Sequence, residues 1–123
     1  MSPRSEEFVE RGHRRLRAAR HSIESNDPEA AVSSAYYAML YAARGALSEV
    51  DVHAKTHGGT WSEFARAFVA SGRIDQEVGG LGAATQRARE DADYEAEDFT
   101  TDQASAILVD AERFVAAIEA TLT

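Results

Sequence analysis

The chain has no cysteine, only two prolines and a single lysine among its 123 residues. Without cysteine it forms neither disulfides nor thiolate metal sites, which agrees with the cytoplasm as the expected compartment. It also has no run of 18 apolar residues and no signal-peptide pattern at its N-terminus, so we expect no association with a membrane. The scarcity of proline, the lack of β-branched runs and the abundance of alanine favour an all-helical fold.

Several catalytic patterns are missing as well. The chain contains no serine nucleophile elbow, no phosphate-binding loop and no dinucleotide fingerprint. His57 has no cysteine or carboxylate at metal-ligand spacing. We therefore expect no metal and no cofactor.

Positive charge is in short supply and unevenly placed. The net charge is −8, yet residues 1–25 hold six arginines against four glutamates, whereas residues 74–123 hold twelve acidic groups against three arginines. The chain as a whole repels polyanions, so a contact with RNA requires a local basic surface. The first predicted helix offers either such a surface or an ordinary solvated, salt-bridged one. Its arginines are Arg11, Arg14, Arg15, Arg17 and Arg20.

The spacing of apolar residues predicts an up-and-down bundle of about five helices in one domain, residues 1–123. The second helix carries two apolar stripes, one of them made of alanines, so we expect it to be central. Three glycines in the fourth helix, at 79, 80 and 82, indicate close backbone approach or flexibility. The predicted helices cover 4–25, 28–50, 60–71, about 75–94 and about 100–122, with a loop over 51–59.

The predicted helix ends rest on capping patterns. Asp27 followed by Pro28 is typical of an N-cap and a first helical residue. Thr60 with Glu63, and Thr100 with Gln103, have the spacing of capping boxes.

Arg89 and Asp93 are four residues apart, so they share one face of the fourth helix. They form either an intrahelical ion pair or a phosphate site, in which the planar guanidinium of Arg89 binds the anion and Asp93 orients it. Tyr94 points away from the apolar stripe of this helix, and it either packs elsewhere or lines a cleft.

Two further clusters are candidates for binding. Tyr36 lies on the main stripe of the second helix and is expected in the core, whereas Tyr37 and Tyr41 face outward and are suited to stacking on a base or to a dimer interface. Lys55 and His57 precede a helix N-terminus, where a cation and free amides favour an anion. The same loop is also an ordinary helix entry.

These clusters follow one another in an order that resembles the HEPN domains of prokaryotes, specifically the small stand-alone, toxin-like proteins associated with nucleotidyltransferases. The resemblance covers almost the whole chain and rests on five stretches in register. They are the Ala-Tyr-Tyr-Ala region of 31–43, Lys55-Thr-His-Gly-Gly59, the Phe-x3-Phe-Val-x2-Gly-x-Ile pattern of 64–74, Arg89-x3-Asp93-Tyr94, and Ala111-Glu-x-Phe-Val115.

The resemblance implies a helical bundle that forms a homodimer, and in many relatives a metal-independent endoribonuclease. In those relatives an arginine and a histidine, spaced Arg-x4–6-His, meet in the dimer cleft and promote attack of a 2′-hydroxyl on the adjacent phosphate. Relatives are often toxins paired with a nucleotidyltransferase antitoxin, which in some pairs adenylylates a tyrosine beside the motif. On this resemblance Arg89 is the motif arginine and Tyr94 the modified tyrosine.

This chain departs from the family pattern at two positions. One is Ser34 in the second helix, where the resemblance leads us to expect an arginine. The other is the motif histidine: the residues five to seven places beyond Arg89, where the Arg-x4–6-His spacing puts it, are Tyr94, Glu95 and Ala96. Asp93 or His57 would have to act as the base. Two hypotheses follow: a ribonuclease toxin with Arg89, Asp93 and Tyr94 in its active site, or a non-catalytic module that binds a nucleotide or a partner protein through Arg89, Lys55 and His57. The candidate contacts to a nucleotide or to RNA are Lys55, His57 and Tyr37.

Overall fold

The computed structural model describes residues 1–123 and contains helices and connecting turns but no strands. Five helices have eight or more residues, as predicted, and one short helix is added between the third and the fifth. The helices are α1 (Pro3–Glu24), α2 (Pro28–Ser48), α3 (His57–Phe64), continued by a π-helical turn over Ala65–Val69, α4 (Gln76–Gly79), α5 (Leu81–Glu95) and α6 (Thr101–Leu122). None of them combines the length and apolar character that crossing a bilayer requires.

Helix α2 is the centre of the bundle, which confirms the interpretation of its two stripes. Thirteen of its 21 residues are buried, including all five alanines of the small-residue stripe, and it packs against α1, α6, α3 and α5. Small side chains let α1 approach closely: a Cβ at Gly12 would lie 3.2 Å from the Ala38 carbonyl oxygen. Aromatic rings from α3, the π-helical turn and α6 fill the other side of α2, with Phe64, Phe68 and Phe114 all fully buried.

Two of the three predicted caps are confirmed. The Asp27 side chain accepts a hydrogen bond from the Ala30 amide at 3.1 Å, and Pro28 begins α2. Thr100 and Gln103 form both hydrogen bonds of a capping box at the start of α6.

The third cap was predicted wrongly. Helix α3 begins at His57 rather than after Thr60, because Thr56 is the N-cap and its hydroxyl accepts from the Gly59 amide at 2.9 Å. Thr60 lies buried inside the helix, where its hydroxyl donates to the Thr56 carbonyl at 2.8 Å. The Gly58-Gly59 pair resembles loop sequence, but glycine suits this first turn: a Cβ at Gly59 would press against the capping hydroxyl of Thr56.

The predicted fourth helix is divided in two. The first part, α4, starts near Asp75 as predicted, and the Asp75 side chain caps it by accepting from the Glu77 amide at 3.1 Å. It ends after one turn, and α5 begins after Gly80. The expected close approach is confirmed at two glycines. A Cβ at Gly79 would overlap the side chain of Val69, and one at Gly82 would overlap the indole ring of Trp61.

Candidate functional site

Side chains from α2, α3 and α5 meet around Tyr36. Arg89 of α5 belongs to this group. The Arg89 guanidinium lies over the Tyr36 ring at 4.6 Å from its centroid and over the Tyr37 ring at 5.6 Å. Such cation–π contacts hold a guanidinium without neutralising its charge. Arg89 is partly buried and takes part in none of the ion pairs of the structure, so the predicted alternative of an Arg89–Asp93 ion pair does not form.

His57 is placed beside these rings by the N-cap of α3. Its Nδ1 atom lies 3.0 Å from the Tyr36 hydroxyl oxygen, and its ring meets Tyr37 edge-to-face at 5.7 Å between centroids. Burial, together with the positive charges of Arg44 and Arg89, lowers the pKa of His57 below its ordinary value of 6.5. The imidazole is therefore neutral at neutral pH.

The hydroxyl of Tyr36 is the junction of a buried hydrogen-bond network. It donates to Gln86 Oε1 at 2.9 Å, and it accepts from Trp61 Nε1 at 3.2 Å. Trp61 Nε1 also donates to Gln86 Oε1, at 2.9 Å. Burial raises the pKa of the Tyr36 hydroxyl, against the opposing effects of the Trp61 hydrogen bond and the Arg89 charge. Tyr36 is fully buried, which confirms its expected place in the core.

Arginines of α1 extend the same pattern across the surface. The Arg15 guanidinium lies 5.6 Å from the centroid of the Tyr37 ring and 6.0 Å from that of Tyr41. The Arg11 guanidinium lies 6.0 Å from the Tyr41 centroid, and that of Arg4 lies 5.2 Å from the Phe8 centroid. Among these arginines only Arg11 has a carboxylate partner, at 3.6 Å from Glu7. We call this face the guanidinium–aromatic surface. It comprises Arg4, Phe8, Arg11, Arg15, Tyr37, Tyr41 and Arg89.

The structure brings Arg89, His57 and Tyr37 together and leaves the other predicted site residues outside this group. Asp93 and Tyr94 lie on the last turn of α5, both exposed, and Tyr94 is 88% exposed. Lys55 is exposed on the loop before α3. It lines a shallow cavity of about 190 Å³, which it shares with cationic and aromatic side chains. These include Arg4, Phe8, Arg44 and His53.

Comparison with known proteins settles the family. The family model described as the HEPN domain matches residues 5–121. The chain belongs to the HEPN family. It is 30% identical over 115 residues to the protein named Putative toxin MJ0605 from Methanocaldococcus jannaschii, an alignment that covers 94% of this chain and 86% of that protein.

Two further relatives align over shorter stretches. UPF0332 protein glr0978 from Gloeobacter violaceus is 35% identical over 78 residues, which cover 63% of this chain. Putative toxin MJ0142 from M. jannaschii is 29% identical over 91 residues, which cover 74% of this chain. In both cases the aligned part spans 62% of the relative's own length. The names place this HEPN protein among toxin-like relatives.

Sequence reasoning missed three members of the HEPN site: Gln86, Trp61 and Arg44. Arg44 follows Tyr37 and Tyr41 at helical spacing of four and three residues, a signal that places all three on one face of α2. Gln86 stands three residues before Arg89 and shares its face of α5. Trp61 has the apolar spacing of a core residue, and nothing in the sequence shows that its indole N–H bonds to α5.

This arrangement has two chemical capabilities. A guanidinium without a carboxylate partner binds the oxygens of a phosphodiester and stabilises negative charge that develops on them. A neutral imidazole next to it accepts a proton. Histidine, cysteine, aspartate and glutamate side chains form no cluster of three suited to a metal ion.

Proposed function

We propose that this HEPN protein is a toxin-like, metal-independent endoribonuclease whose phosphodiester site is centred on Arg89. The observation that carries the proposal is the Arg89 guanidinium itself. It is partly buried, held over two tyrosine rings, free of any carboxylate, and next to the neutral imidazole of His57. An arginine held in this way keeps its charge available for an anion from solution.

The guanidinium–aromatic surface supports RNA as the ligand in spite of the net charge of −8. Its arginines supply the local basic surface that a polyanion requires, and the partly exposed rings of Tyr37 and Tyr41 suit stacking of unpaired bases. Lys55 adds a cation near the start of α3. Single-stranded RNA is therefore the expected substrate.

Cleavage of RNA by purified protein in the presence of a chelator tests this proposal. Wild-type protein is expected to cleave a single-stranded oligoribonucleotide, and Arg89→Ala to be slower by about 100-fold, the order expected for loss of a charge stabiliser. Arg87→Ala removes the same charge from the same helix, at an exposed position, and is the matched control. Equal cleavage by wild-type protein and Arg89→Ala would overturn the proposal.

We further propose that the protein is a homodimer and the toxin partner of a small nucleotidyltransferase antitoxin. The toxin-like names of its relatives support the pairing. The 88% exposed phenol of Tyr94 is accessible as an acceptor for a nucleotidyl group, and the exposed Asp93 is accessible to a second protomer.

Co-expression with an adjacent nucleotidyltransferase gene tests the pairing. We expect nucleotidylation of the wild-type protein and loss of that modification in Tyr94→Phe, with Tyr41→Phe as the control. An unmodified protein, together with undiminished toxicity during co-expression, would contradict the pairing. Sedimentation of the purified protein as a monomer would contradict the homodimer.

A second candidate function is a non-catalytic module that binds a nucleotide or a partner protein. The absence of histidine at the motif spacing and the exposed positions of Asp93 and Tyr94 favour it. In this case the wild-type protein does not cleave RNA, and calorimetry shows binding of ATP or GTP that is lost in Arg89→Ala. No binding of either nucleotide would exclude the nucleotide-binding form of this function.

A further inference from the structure

The hydrogen bonds around the Tyr36 hydroxyl determine where its single proton lies. Trp61 Nε1 donates only, and it stands 2.9 Å from the Gln86 side chain, so the atom of Gln86 that faces it is the carbonyl oxygen. The same oxygen stands 2.9 Å from the Tyr36 hydroxyl. Since an amide oxygen accepts only, Tyr36 donates its proton to Gln86.

The tautomer of His57 follows from this assignment. Once the Tyr36 proton is directed to Gln86, the Tyr36 oxygen acts as an acceptor toward His57 Nδ1, 3.0 Å away, so Nδ1 carries a hydrogen. In the opposite arrangement Tyr36 would donate to His57. The Tyr36 oxygen and Gln86 Oε1 would then be two acceptors in contact with no hydrogen between them. Such a contact is unfavourable inside the protein.

We infer that His57 is the proton acceptor of this site. Gln86, Tyr36 and Trp61 hold it in the tautomer that carries its hydrogen on Nδ1, which leaves the Nε2 lone pair free. Gln86, Tyr36 and Trp61 are positioning residues in this assignment. The inference rests on the proposed function for the reaction, and on the hydrogen-bond geometry for the choice of residue and atom.

The charges around His57 favour this role. The groups that face it are Tyr36, Tyr37 and Arg44 from α2 and Arg89 from α5, and none of them is a carboxylate. Burial, together with the two arginines, keeps the imidazole neutral before the substrate binds. A phosphodiester on Arg89 offsets part of that positive charge, so the imidazole accepts a proton more readily when the substrate is present.

Cleavage of the RNA strand begins at a ribose 2′-hydroxyl. Nε2 of His57 takes the proton of the ribose 2′-hydroxyl while the 2′-oxygen forms a bond to the adjacent phosphorus. The bond from phosphorus to the 5′-oxygen breaks, and the departing oxygen takes a proton from water. The hydroxide left behind takes the proton held on His57 Nε2, which restores water and the neutral imidazole. The products are a 2′,3′-cyclic phosphate and a 5′-hydroxyl, and no oxidant or metal ion is required.

Nitrogen NMR of the histidine side chains tests the tautomer without RNA. In wild-type protein we expect His57 to carry its hydrogen on Nδ1 and to titrate below its ordinary 6.5. In Gln86→Leu, which keeps the volume but removes the acceptor, the Tyr36 proton is free to turn toward His57, and we expect the hydrogen of His57 to move to Nε2. A hydrogen on Nε2 in the wild-type protein would overturn the inference.

Cleavage kinetics test the role of His57 itself. We expect His57→Ala to cleave about 100-fold more slowly than wild type and to lose the acidic limb of the pH–rate profile. Gln86→Leu is expected to lower kcat and to leave KM unchanged, because the substrate contacts of Arg89 remain. His13→Ala, which changes a histidine on α1 outside the site, is the control and is expected to cleave at the wild-type rate.

The outcomes separate the two proposals. Wild-type cleavage that is lost in Arg89→Ala but retained in His57→Ala would overturn the role of His57 and leave the proposed function standing. Absence of cleavage by the wild-type protein would overturn both the ribonuclease proposal and the reaction assigned to His57. In that case the NMR result would still decide the tautomer.

Discussion

The basic side chains of this protein have different partners on its two sides. Toward α4 and α6 they pair with carboxylates: Arg20 lies 3.3 Å from Glu112, Arg113 lies 3.4 Å from Glu77, and His13 Nε2 lies 2.5 Å from Glu119. On the guanidinium–aromatic surface Arg4, Arg15 and Arg89 lie over rings and have no carboxylate partner, although Arg11 also pairs with Glu7. The carboxylates neutralise the charges of Arg20 and Arg113, whereas the rings leave the charges of the arginines above them available. A chain with a net charge of −8 thus keeps a local surface suited to an anion.

The two histidines His13 and His57 show the same difference. His13 lies beside the Glu119 carboxylate, whereas His57 is partly buried beside the Tyr36 hydroxyl and near two arginines. Burial and the charges of Arg44 and Arg89 lower the pKa of His57 and favour its neutral form. The surroundings of His57, rather than its residue type alone, therefore suit it to accept a proton.

The largest effect is expected from breaking the contact that holds the site together. Gly82→Ala adds a Cβ where the Trp61 indole lies, so we expect Trp61 to be displaced and the protein to lose about 1–3 kcal/mol of unfolding free energy. Urea unfolding followed by tryptophan fluorescence measures both effects. Gly58→Ala is the matched control, because a Cβ there meets nothing and the residue lies in a helix. Equal stability of the two variants would contradict the packing described here.

A smaller effect, on RNA affinity, is expected when one arginine is removed from the guanidinium–aromatic surface and compared with removal of one carboxylate-paired arginine. Arg15→Ala removes a guanidinium that rests on Tyr37 and Tyr41, and we expect it to weaken binding of single-stranded RNA about tenfold, equivalent to about 1.4 kcal/mol. It should also reduce the slope of log affinity against log salt by about one. Fluorescence anisotropy at several salt concentrations measures both quantities.

Arg20→Ala is the control for this comparison, since Arg20 also lies on α1 but pairs with Glu112. Its RNA affinity should equal that of the wild type, and its stability should change by only about 0–1 kcal/mol. Equal loss of affinity in Arg15→Ala and Arg20→Ala would show that binding depends on total charge rather than on the guanidinium–aromatic surface.

The smallest effect is expected in the pH dependence of stability. The pKa of His57 is lower in the folded protein than in the unfolded chain, so below pH 6.5 the unfolded chain binds a proton that the folded protein does not. Stability should therefore fall as the pH falls below 6.5, and this contribution should be absent in His57→Gln. Thermal unfolding between pH 5 and pH 8 measures the difference, and identical pH dependence of the two proteins would contradict it.

The fold was predictable from the sequence because local signals and apolar spacing agree along most of the chain. The central position of α2, the caps at Asp27 and Thr100, and the close approach at Gly79 and Gly82 all followed from residue spacing. The start of α3 was missed because two threonines, Thr56 and Thr60, both stand at plausible cap positions, and only packing decides between them.

The site was predictable only in part. Its residues come from helices that are distant in sequence, and spacing within one helix does not show which side chains of two helices touch. Arg89, His57 and Tyr37 were selected by residue type and by the family resemblance. The hydrogen bonds that join Tyr36 to Gln86 and Trp61, from which we infer the tautomer of His57, arise from the packing of α3 and α5 against α2.

The most direct test of the anion site is NMR of the arginine side-chain Nε–Hε groups during titration with a single-stranded oligoribonucleotide. We expect the signals of Arg89 and Arg15 to shift and those of Arg20 and Arg113 to stay unchanged. Shifts confined to the carboxylate-paired arginines, or no shift at Arg89 while RNA binds, would contradict the account.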